Sequence, residues 1–439
     1  GLGDVYKRQT YNYALNLKGD APAQGKMDIS VVNIEENAGQ VPVNYVLPPG
    51  VTRIIDPGQS QITQLNEQAM SLKVTDLQSG DARAVYKNSG MDMRTYKRLQ
   101  MFVHAEKLID DKTNLRDGDV SVFLRLGSDS KSNYYEYEVP LSLTEPGNYS
   151  TYNAQDQEAV WPQSNMFDFP LSLFTDLKLE RNAKKRMDNS TVTFQTRYSS
   201  YDPDKNQNKV TIVGNPSLSD VRTMMIGVRN NSNAAKDIVV WVNEMRLTDF
   251  DQSGGWAAKA NVNLGLSDIA MLNIAGHVET VGFGGIDQSL TERRLDDYYQ
   301  YNIATMVELG RFLPEKVKLK APLFYSITEQ RTSPKYNPLD QDILLKDALD
   351  NAGSKAERDS ISDASIEKST VESFSLSGVS FDIRSKNPMP YDPANFSISY
   401  SYNRQSKQDP TTEFENTYDY RGSFTYSYTP FVKPFVPLK

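Results

Sequence analysis

The stretch WAAKANVNLGL, residues 256–266, decides how the second half of the sequence is interpreted. Apolar residues occupy every second position from Trp256 to Leu266, and Lys259, Asn261 and Asn263 lie between them. Because successive side chains of a β-strand point to opposite faces of a sheet, this alternation predicts a strand with one apolar and one polar face. A tilted strand needs about 9–11 residues to cross a bilayer. The stretch therefore predicts a transmembrane β-strand.

The same alternation recurs in six later stretches. They are residues 272–280, 299–309, 317–327, 374–383, 396–402 and 418–428. The stretch 374–383 loses its phase near Ser377-Gly378, as a β-bulge would cause. Most of these stretches exceed the usual length of a soluble strand, and Tyr or Trp lies near several ends, as in aromatic girdles. We expect part of a large antiparallel transmembrane barrel; a soluble sheet with one solvated face is the alternative.

We expect the two sets of alternating positions to face different environments. The positions predicted to face lipid are Trp256, Leu264, Ile274, Tyr301, Val307, Leu319, Tyr325, Tyr400 and Phe424. The positions predicted to face a lumen are Lys259, Asn261, Asn263, His277, Glu279, Lys318, Lys320 and Arg421. We interpret the lumen-facing charges as solvated lining rather than as a selectivity filter.

The connections between the predicted strands orient the segment. Residues 267–271 and 310–316 are short connections, whereas 284–298, 330–370 and 403–417 are long. In outer-membrane barrels short turns face the periplasm and long loops face outside. The residues that precede the first strand are therefore expected on the extracellular side. In the loop 330–370, DQDILLKDAL (residues 340–349) predicts a short amphipathic helix.

The number of predicted strands and the two ends of the sequence indicate whether the predicted barrel is complete. Seven strands cannot close a single-chain bacterial barrel, which has an even number of at least eight, so we expect a fragment of a longer chain. The Pro-rich end at 429–439 agrees with this expectation. The first nine residues, GLGDVYKRQ, resemble a translated sequencing adapter and are excluded from the fold prediction. Residues 10–26 are expected to be a linker or a strand remnant.

Residues 27–251 predict a β-sandwich or jelly-roll module, because short alternating strands are separated by turn residues. Expected strands are 27–34, 99–105, 120–126, 134–140, 209–213, 224–229 and 237–247. Pro170 suits the first turn of a helix over 171–185. Turns are expected at Pro48-Pro49-Gly50 and at Asp56-Pro57-Gly58. The fold class of the whole chain is thus mainly all-β, with an extracellular sandwich followed by part of a barrel.

Composition excludes several classes of function. The 439 residues carry 48 Lys+Arg and 56 Asp+Glu, a net charge of −8, with no polybasic stretch, so no nucleic-acid partner is expected. The absence of Cys excludes disulfides and thiolate zinc sites, and two His residues cannot form a three-His site. The sequence contains no run of about 20 apolar residues, which a transmembrane helix would require.

No stretch predicts catalysis, a cofactor or a metal ion. DPDKNQN, residues 202–208, resembles the start of a calcium loop, but Gln207 stands at the sixth place and Val213 at the twelfth, where Gly and Glu are required. An Asn/Asp-rich hairpin tip is the better interpretation. His104 is expected to pack within the sandwich. We expect no enzyme activity.

Longer motifs resemble one family. They include VPVNYVLPPG (41–50), IDPGQSQITQLNEQAMSLKV (55–74), DARAVYKN (81–88), YKRLQMFVHAE (96–106), WVNEMRLTDFD (241–251), YNPLDQDILLKDAL (336–349) and MPYDPANFSISYSYN (389–403). These motifs are similar to the SprA/Sov family, the outer-membrane translocon of type IX secretion and gliding motility in Bacteroidota. The resemblance extends over loops and strands alike, which makes it more specific than any short motif.

The resemblance implies a very large single-chain barrel that releases folded cargo through a lateral opening. The implied partners are secreted cargo proteins, a PorV-like shuttle barrel, a periplasmic plug protein and outer-membrane lipid. Two alternatives remain at this point: a TonB-dependent nutrient-uptake barrel, and a soluble glycan-binding sandwich protein. The second predicts that residues 252–439 dissolve without detergent.

Overall fold

A computed structural model describes residues 10–11, 25–53, 66–289 and 292–430. The chain divides into two compact units, Gly1–Asp251 and Gln252–Lys439. It is mainly β with antiparallel sheets, which confirms the predicted fold class. The adapter-like residues 1–9, most of the expected linker 10–26, the turn at 56–58 and the residues from 431 onward lie outside the described residues.

The first unit consists of two antiparallel sheets and two helices. Its strands are β1 (Thr10–Tyr11), β2 (Lys26–Asn33), β3 (Gln68–Leu77), β4 (Ala82–Met91), β5 (Tyr96–Glu106), β6 (Val120–Gly127), β7 (Tyr134–Pro140), β8 (Phe167–Pro170), β9 (Tyr198–Tyr201), β10 (Lys209–Val213), β11 (Val221–Asn230) and β12 (Lys236–Phe250). One sheet has the order β1-β4-β11-β6-β7-β10-β9, and the other has β2-β3-β12-β5-β8. The helices are α1 (Ala154–Val160) and α2 (Ser172–Arg186).

One hydrophobic core joins the two sheets, as expected for a sandwich. It includes Leu72 from one sheet and Val122 from the other, both fully buried. Tyr137 of β7 stacks on Phe169 of β8, with ring centroids 3.9 Å apart. Helix α2 covers this core with Phe174, whose ring lies 4.9 Å from that of Tyr135. The predicted sandwich and the predicted helix near 171–185 are therefore both present.

The central strand β6 is buried on both faces, although its sequence suggested one exposed face. Phe123 packs against Ala84 and Met225 in a second, smaller cluster. Gly227 lies beneath this ring, and a Cβ added there would come within 2.3 Å of the Phe123 ring. Only glycine therefore fits at position 227.

A buried charge network occupies the same face of this sheet. Glu136 has no exposed side-chain surface and forms ion pairs with Arg125, Arg197 and Arg229. Arg229 also pairs with Glu138. Burial alone would raise the pKa of Glu136, but the three guanidinium groups lower it to about 2. The carboxylate is thus held ionised although it is buried, on the face of the sheet opposite to the core between the two sheets.

Replacing Glu136 by Gln should destabilise the first unit. The substitution removes the carboxylate that Arg125, Arg197 and Arg229 share, although Arg229 keeps its pair with Glu138, and a broken buried pair costs about 3–5 kcal/mol. The matched control Glu158→Gln changes an exposed carboxylate and should shift the free energy of unfolding by less than about 0.5 kcal/mol. Equal effects of the two substitutions would contradict the assigned role of the network.

Urea unfolding of the full chain in detergent measures this effect. Trp161 and Trp241 are buried in the first unit, so their fluorescence reports on it when Trp256 is replaced by Phe. Because the pKa of Glu136 is lowered on folding, its stabilisation is present above the ordinary pKa of 4.5 and is lost as pH falls toward about 2. Glu136→Gln should flatten the pH dependence in this window.

The second unit contains a long antiparallel meander. Its strands are β13 (Ala257–Leu266), β14 (Ala270–Glu279), β15 (Asp296–Glu308), β16 (Leu319–Lys320), β17 (Pro322–Pro334), β18 (Tyr336–Asn337), β19 (Asp340–Leu344), β20 (Glu367–Phe381), β21 (Phe396–Asp409) and β22 (Thr412–Tyr426). Helices α3 (Leu345–Asp350) and α4 (Lys355–Ser365) lie between β19 and β20. The main sheet has the order β13-β14-β15-β17-β20-β21-β22, and β16 pairs with β20. Seven long strands therefore follow one another as neighbours.

Some predicted boundaries are wrong. Residues 403–417 are not a long connection, because β21 and β22 continue through them and leave only 410–411 as a turn. The strand expected at 317–327 is divided, since Lys318 has a left-handed φ of 48° and β17 begins at Pro322. In DQDILLKDAL the first half is strand β19 and only the second half is helical.

Two further features bear on the connections. Strand β17 extends to Pro334 and β20 begins at Glu367, so the long connection is shorter than the predicted 330–370. The bulge expected near Ser377-Gly378 is present, where the pairing of β20 with β21 shifts between Leu376 and Val379. Among the described residues, no helix is long and apolar enough to cross a membrane.

Candidate functional site

The main sheet of the second unit has two chemically different faces. Directly paired residues lie on the same face of an antiparallel sheet, so the register assigns every position. Leu264 pairs with Leu272, and the row continues through the neighbouring strands to Tyr420. The next row, on the opposite face, begins with Asn263 and Asn273 and ends at Asp419. We call these the apolar face and the polar face.

Most of the residues predicted to face lipid lie on the apolar face. Within the main strands they are Leu264, Ile274, Tyr301, Val307, Tyr325, Tyr400 and Phe424. Trp256 lies one residue before β13 and extends the ladder, because its carbonyl accepts a hydrogen bond from the backbone N–H of Thr280 at 2.9 Å. Leu319, in the short strand β16, pairs with Phe381.

These apolar side chains form a continuous exposed surface. Leu264 is 48% exposed and Phe424 is 65% exposed. Aromatic rings contact one another across the last two strands, with Phe396 and Tyr426 5.1 Å apart and Tyr402 and Tyr420 5.1 Å apart between centroids. An extended apolar surface of this kind marks a region that another apolar phase or a partner covers.

The polar face carries most of the residues predicted to line a lumen. In the main strands they are Lys259, Asn261, Asn263, His277, Glu279 and Arg421. Asn273 donates a hydrogen bond to Asn261 at 3.1 Å and another to Asn263. His277 lies 3.0 Å from Glu279, which also pairs with Arg294 at 2.6 Å.

Two predicted lumen residues lie elsewhere. Lys320 lies in β16 opposite Ser380 and pairs with Asp382 at 3.5 Å. Lys318 is not part of a strand, because it ends a 3-10 turn in a left-handed conformation. It belongs to a connection rather than to the sheet wall.

The apolar residues of this face form a band that runs obliquely across the strands. In β13 the band extends from Trp256 to Leu266. The register links Val262 to Tyr418 and Leu266 to Gly422. In β22 and the residues just after it, however, the band extends from Tyr418 to Tyr428. Both edges have therefore shifted by about six residues along the strands between the first strand and the last.

This shift defines an angle. Six residues correspond to about 20 Å along a strand, and six steps between neighbouring strands correspond to about 29 Å. If the band lies parallel to the plane of a membrane, the strands are tilted by about 35° from the membrane normal. Transmembrane barrels have strand tilts of about 35–45°. At this tilt the ten residue steps of the band in β13 span about 27 Å in height, close to the roughly 25 Å apolar band of such barrels.

The sequence interpretation missed the polar ends of the apolar face. On the apolar face, Tyr301 donates a hydrogen bond to Glu329 at 3.0 Å, and Tyr325 donates one to Glu372 at 2.9 Å. Glu329 lies past the end of the strand predicted at 317–327, and Glu372 precedes the strand predicted at 374–383. Continued period-2 spacing of Tyr and charged residues was the signal that could have revealed them.

The remaining candidates show no catalytic arrangement. His104 is fully buried, stacks on Trp241 at 4.0 Å and lies 2.7 Å from the carbonyl oxygen of Val160 through Nδ1. In the calcium-like stretch, Asp202 accepts a hydrogen bond from Tyr137 at 2.6 Å inside the sandwich. Over the described residues no group of His, Asp and Glu side chains is arranged to hold a metal ion.

The two units thus define a β-rich protein that combines a sandwich with a two-faced antiparallel meander. The SprA_N family model, described as motility related/secretion protein, matches residues 3–349. The chain therefore belongs to the SprA family of motility-related and secretion proteins. A comparison with curated proteins finds no match.

A charge introduced on the apolar face should be costly in a lipid bilayer. Leu264→Arg places a guanidinium near the middle of the band, and we expect a loss of about 2–4 kcal/mol in the free energy of unfolding from lipid vesicles. The neighbouring substitution Asn263→Arg lies on the polar face and should be mild. Equal losses at the two positions would contradict the assigned faces.

Proposed function

We propose that residues 252–439 form part of the wall of an outer-membrane pore through which proteins are secreted. Family membership supports a role in motility or secretion. The observation that carries the membrane role is the oblique apolar band, because its height and its tilt both match those of a transmembrane barrel. In a soluble sheet covered by a partner, neither the height nor the tilt of the apolar band would need to match that of a barrel.

The polar face supplies the other half of the proposal. Its amide groups, Lys259 and the His277–Glu279 pair present hydrogen-bonding and charged groups of both signs, which a water-filled lumen would solvate. Passage of a folded protein requires a wide hydrated wall rather than a chemical step. We therefore assign the wall a structural and transport role, with no enzyme activity.

The connections support one orientation. One end of the meander carries residues 280–295 and 335–366 together with the tight turn 410–411, and the other end carries residues 267–269, 309–321 and 382–395, so the two longest connections lie at the same end. By the rule for outer-membrane barrels, the long connections face outside. We propose that the sandwich, residues 27–251, is extracellular, because it enters the meander at the end where the long connections lie.

The partners follow from the family resemblance and are part of the proposal. They are secreted cargo proteins, a PorV-like shuttle barrel, a periplasmic plug protein and outer-membrane lipid. A nutrient-uptake barrel would share the two-faced sheet, but family membership favours secretion. A soluble glycan-binding protein would not need the apolar band.

Cysteine labelling in intact cells tests the proposed location. These 439 residues contain no Cys, so a single introduced thiol is the only maleimide-reactive thiol among them. Tyr152→Cys, at a position 99% exposed in the sandwich, should react with a membrane-impermeant maleimide in intact cells. The matched variant Asp268→Cys, in the tight turn 267–269, should react only after the outer membrane is permeabilised.

The proposed role in secretion is tested separately, by the amount of protein that cells release into the medium. Leu264→Arg in the chromosomal copy should lower the amount of secreted protein in the culture medium, whereas Asn263→Arg should not. If Tyr152→Cys is protected until permeabilisation, the orientation is wrong. If secretion is unchanged by Leu264→Arg while the protein is lost from the outer membrane, the translocon role is wrong.

A further inference from the structure

A basic cleft lies on the apolar face, at the edge of the apolar band. Lys368, Thr370 and Glu372 of β20 line it together with Arg404, Ser406 and Gln408 of β21, and it encloses about 300 Å³. The next residues of the same face toward the band are Phe374 and Tyr402. The cleft is therefore polar, and its floor continues into apolar surface.

Two carboxylates lie beside the cations of the cleft, and each of them also accepts a hydrogen bond from a tyrosine. Lys368 pairs with Glu329 at 3.4 Å, but Glu329 also accepts a hydrogen bond from Tyr301. Glu372, directly opposite Arg404 in the register, accepts a hydrogen bond from Tyr325.

Two guanidinium groups in and beside the cleft form no ion pair among the described residues. In the part of the chain that the structure describes, neither Arg331 nor Arg404 has a carboxylate within 4 Å, and the Nε of Arg404 is buried without a hydrogen-bond acceptor. The guanidinium of Arg404 lies 5.9 Å from the centre of the Tyr418 ring. Its two Nη groups, rather than the buried Nε, are the donors open to a ligand.

The register adds an unfavourable contact that an anion would relieve. Arg331 pairs directly with Lys368 on the same face of the sheet. Like charges directly opposite each other on neighbouring strands are destabilising. A phosphate group between them would accept hydrogen bonds from both and neutralise the repulsion.

We propose that this cleft binds the phosphate of an outer-leaflet lipid headgroup, with the acyl chains lying on the adjacent apolar band. This inference rests on the proposed membrane location. The choice of a lipid over a soluble anion comes from the position of the cleft: Arg404 is two residues from Tyr402 along its strand and Lys368 is six residues from Phe374, so the cleft begins where headgroups meet hydrocarbon and extends away from it. Arginine suits the ligand because its planar donors match phosphate oxygens.

Binding measurements on the full chain in detergent test the proposal. The probes are diphosphorylated lipid A, the same lipid with both phosphates removed, and inorganic phosphate alone. We expect the phosphorylated lipid to bind at least about tenfold more tightly than the dephosphorylated lipid. Arg404→Gln and Lys368→Gln should each weaken binding of the phosphorylated lipid about tenfold, and Arg404→Lys should weaken it less.

Matched control variants remove the same charge from the polar face. Lys259→Gln and Arg421→Gln should leave the affinity unchanged, because both residues lie on the other side of the sheet. Equal loss in the control variants, or equal affinity for the dephosphorylated lipid, would overturn the proposal. Competition by millimolar inorganic phosphate would show a soluble-anion site and would also overturn it.

A second measurement separates this proposal from the membrane location on which it rests. Brominated lipids in reconstituted vesicles should quench the fluorescence of Trp256, and the quenched component should disappear in Trp256→Phe. Quenching without phosphate selectivity would refute the lipid site and leave the membrane location intact. Absence of quenching would refute the membrane location itself.

Discussion

The backbone hydrogen-bond register of the seven-stranded meander is the constraint on which the second unit depends. Each strand pairs with its neighbour over most of its length, so a slip of one residue would exchange the two faces of that strand. Where the register does shift, between Leu376 and Val379, the bulge restores the phase and keeps Ile398 on the apolar face. A single register therefore maintains both the apolar band and the polar face.

The alternation in the sequence was sufficient to predict this sheet and its faces. Seven strands were expected and the described residues of the sheet contain seven long strands, because period-2 alternation of apolar and polar residues is a local property of each strand. The ends of the strands could not be predicted in the same way. Beyond Tyr402 both faces of β21 become polar, so the alternation disappears while the backbone pairing continues to Asp409.

The sandwich was harder to predict, since its buried positions include polar residues. Strand β4 contains Arg83, which is only 3% exposed and donates hydrogen bonds to the carbonyl oxygen of Gly25. A buried arginine with a backbone partner distant in sequence gives no apolar signal. The network around Glu136 is similar, because its residues come from several strands and only the fold brings them together.

The central claim is that the strands of the meander cross a bilayer obliquely, and spin-label depth measurements test it most directly. Single Cys residues at Val262, Tyr418 and Phe424 can each carry a nitroxide, because the chain has no native Cys. Val262 and Tyr418 lie on one register row, yet a tilt of about 35° predicts depths that differ by about 17 Å. Val262 and Phe424 should instead lie at the same depth. Equal depths for Val262 and Tyr418, or no lipid access at any of the three positions, would contradict the account.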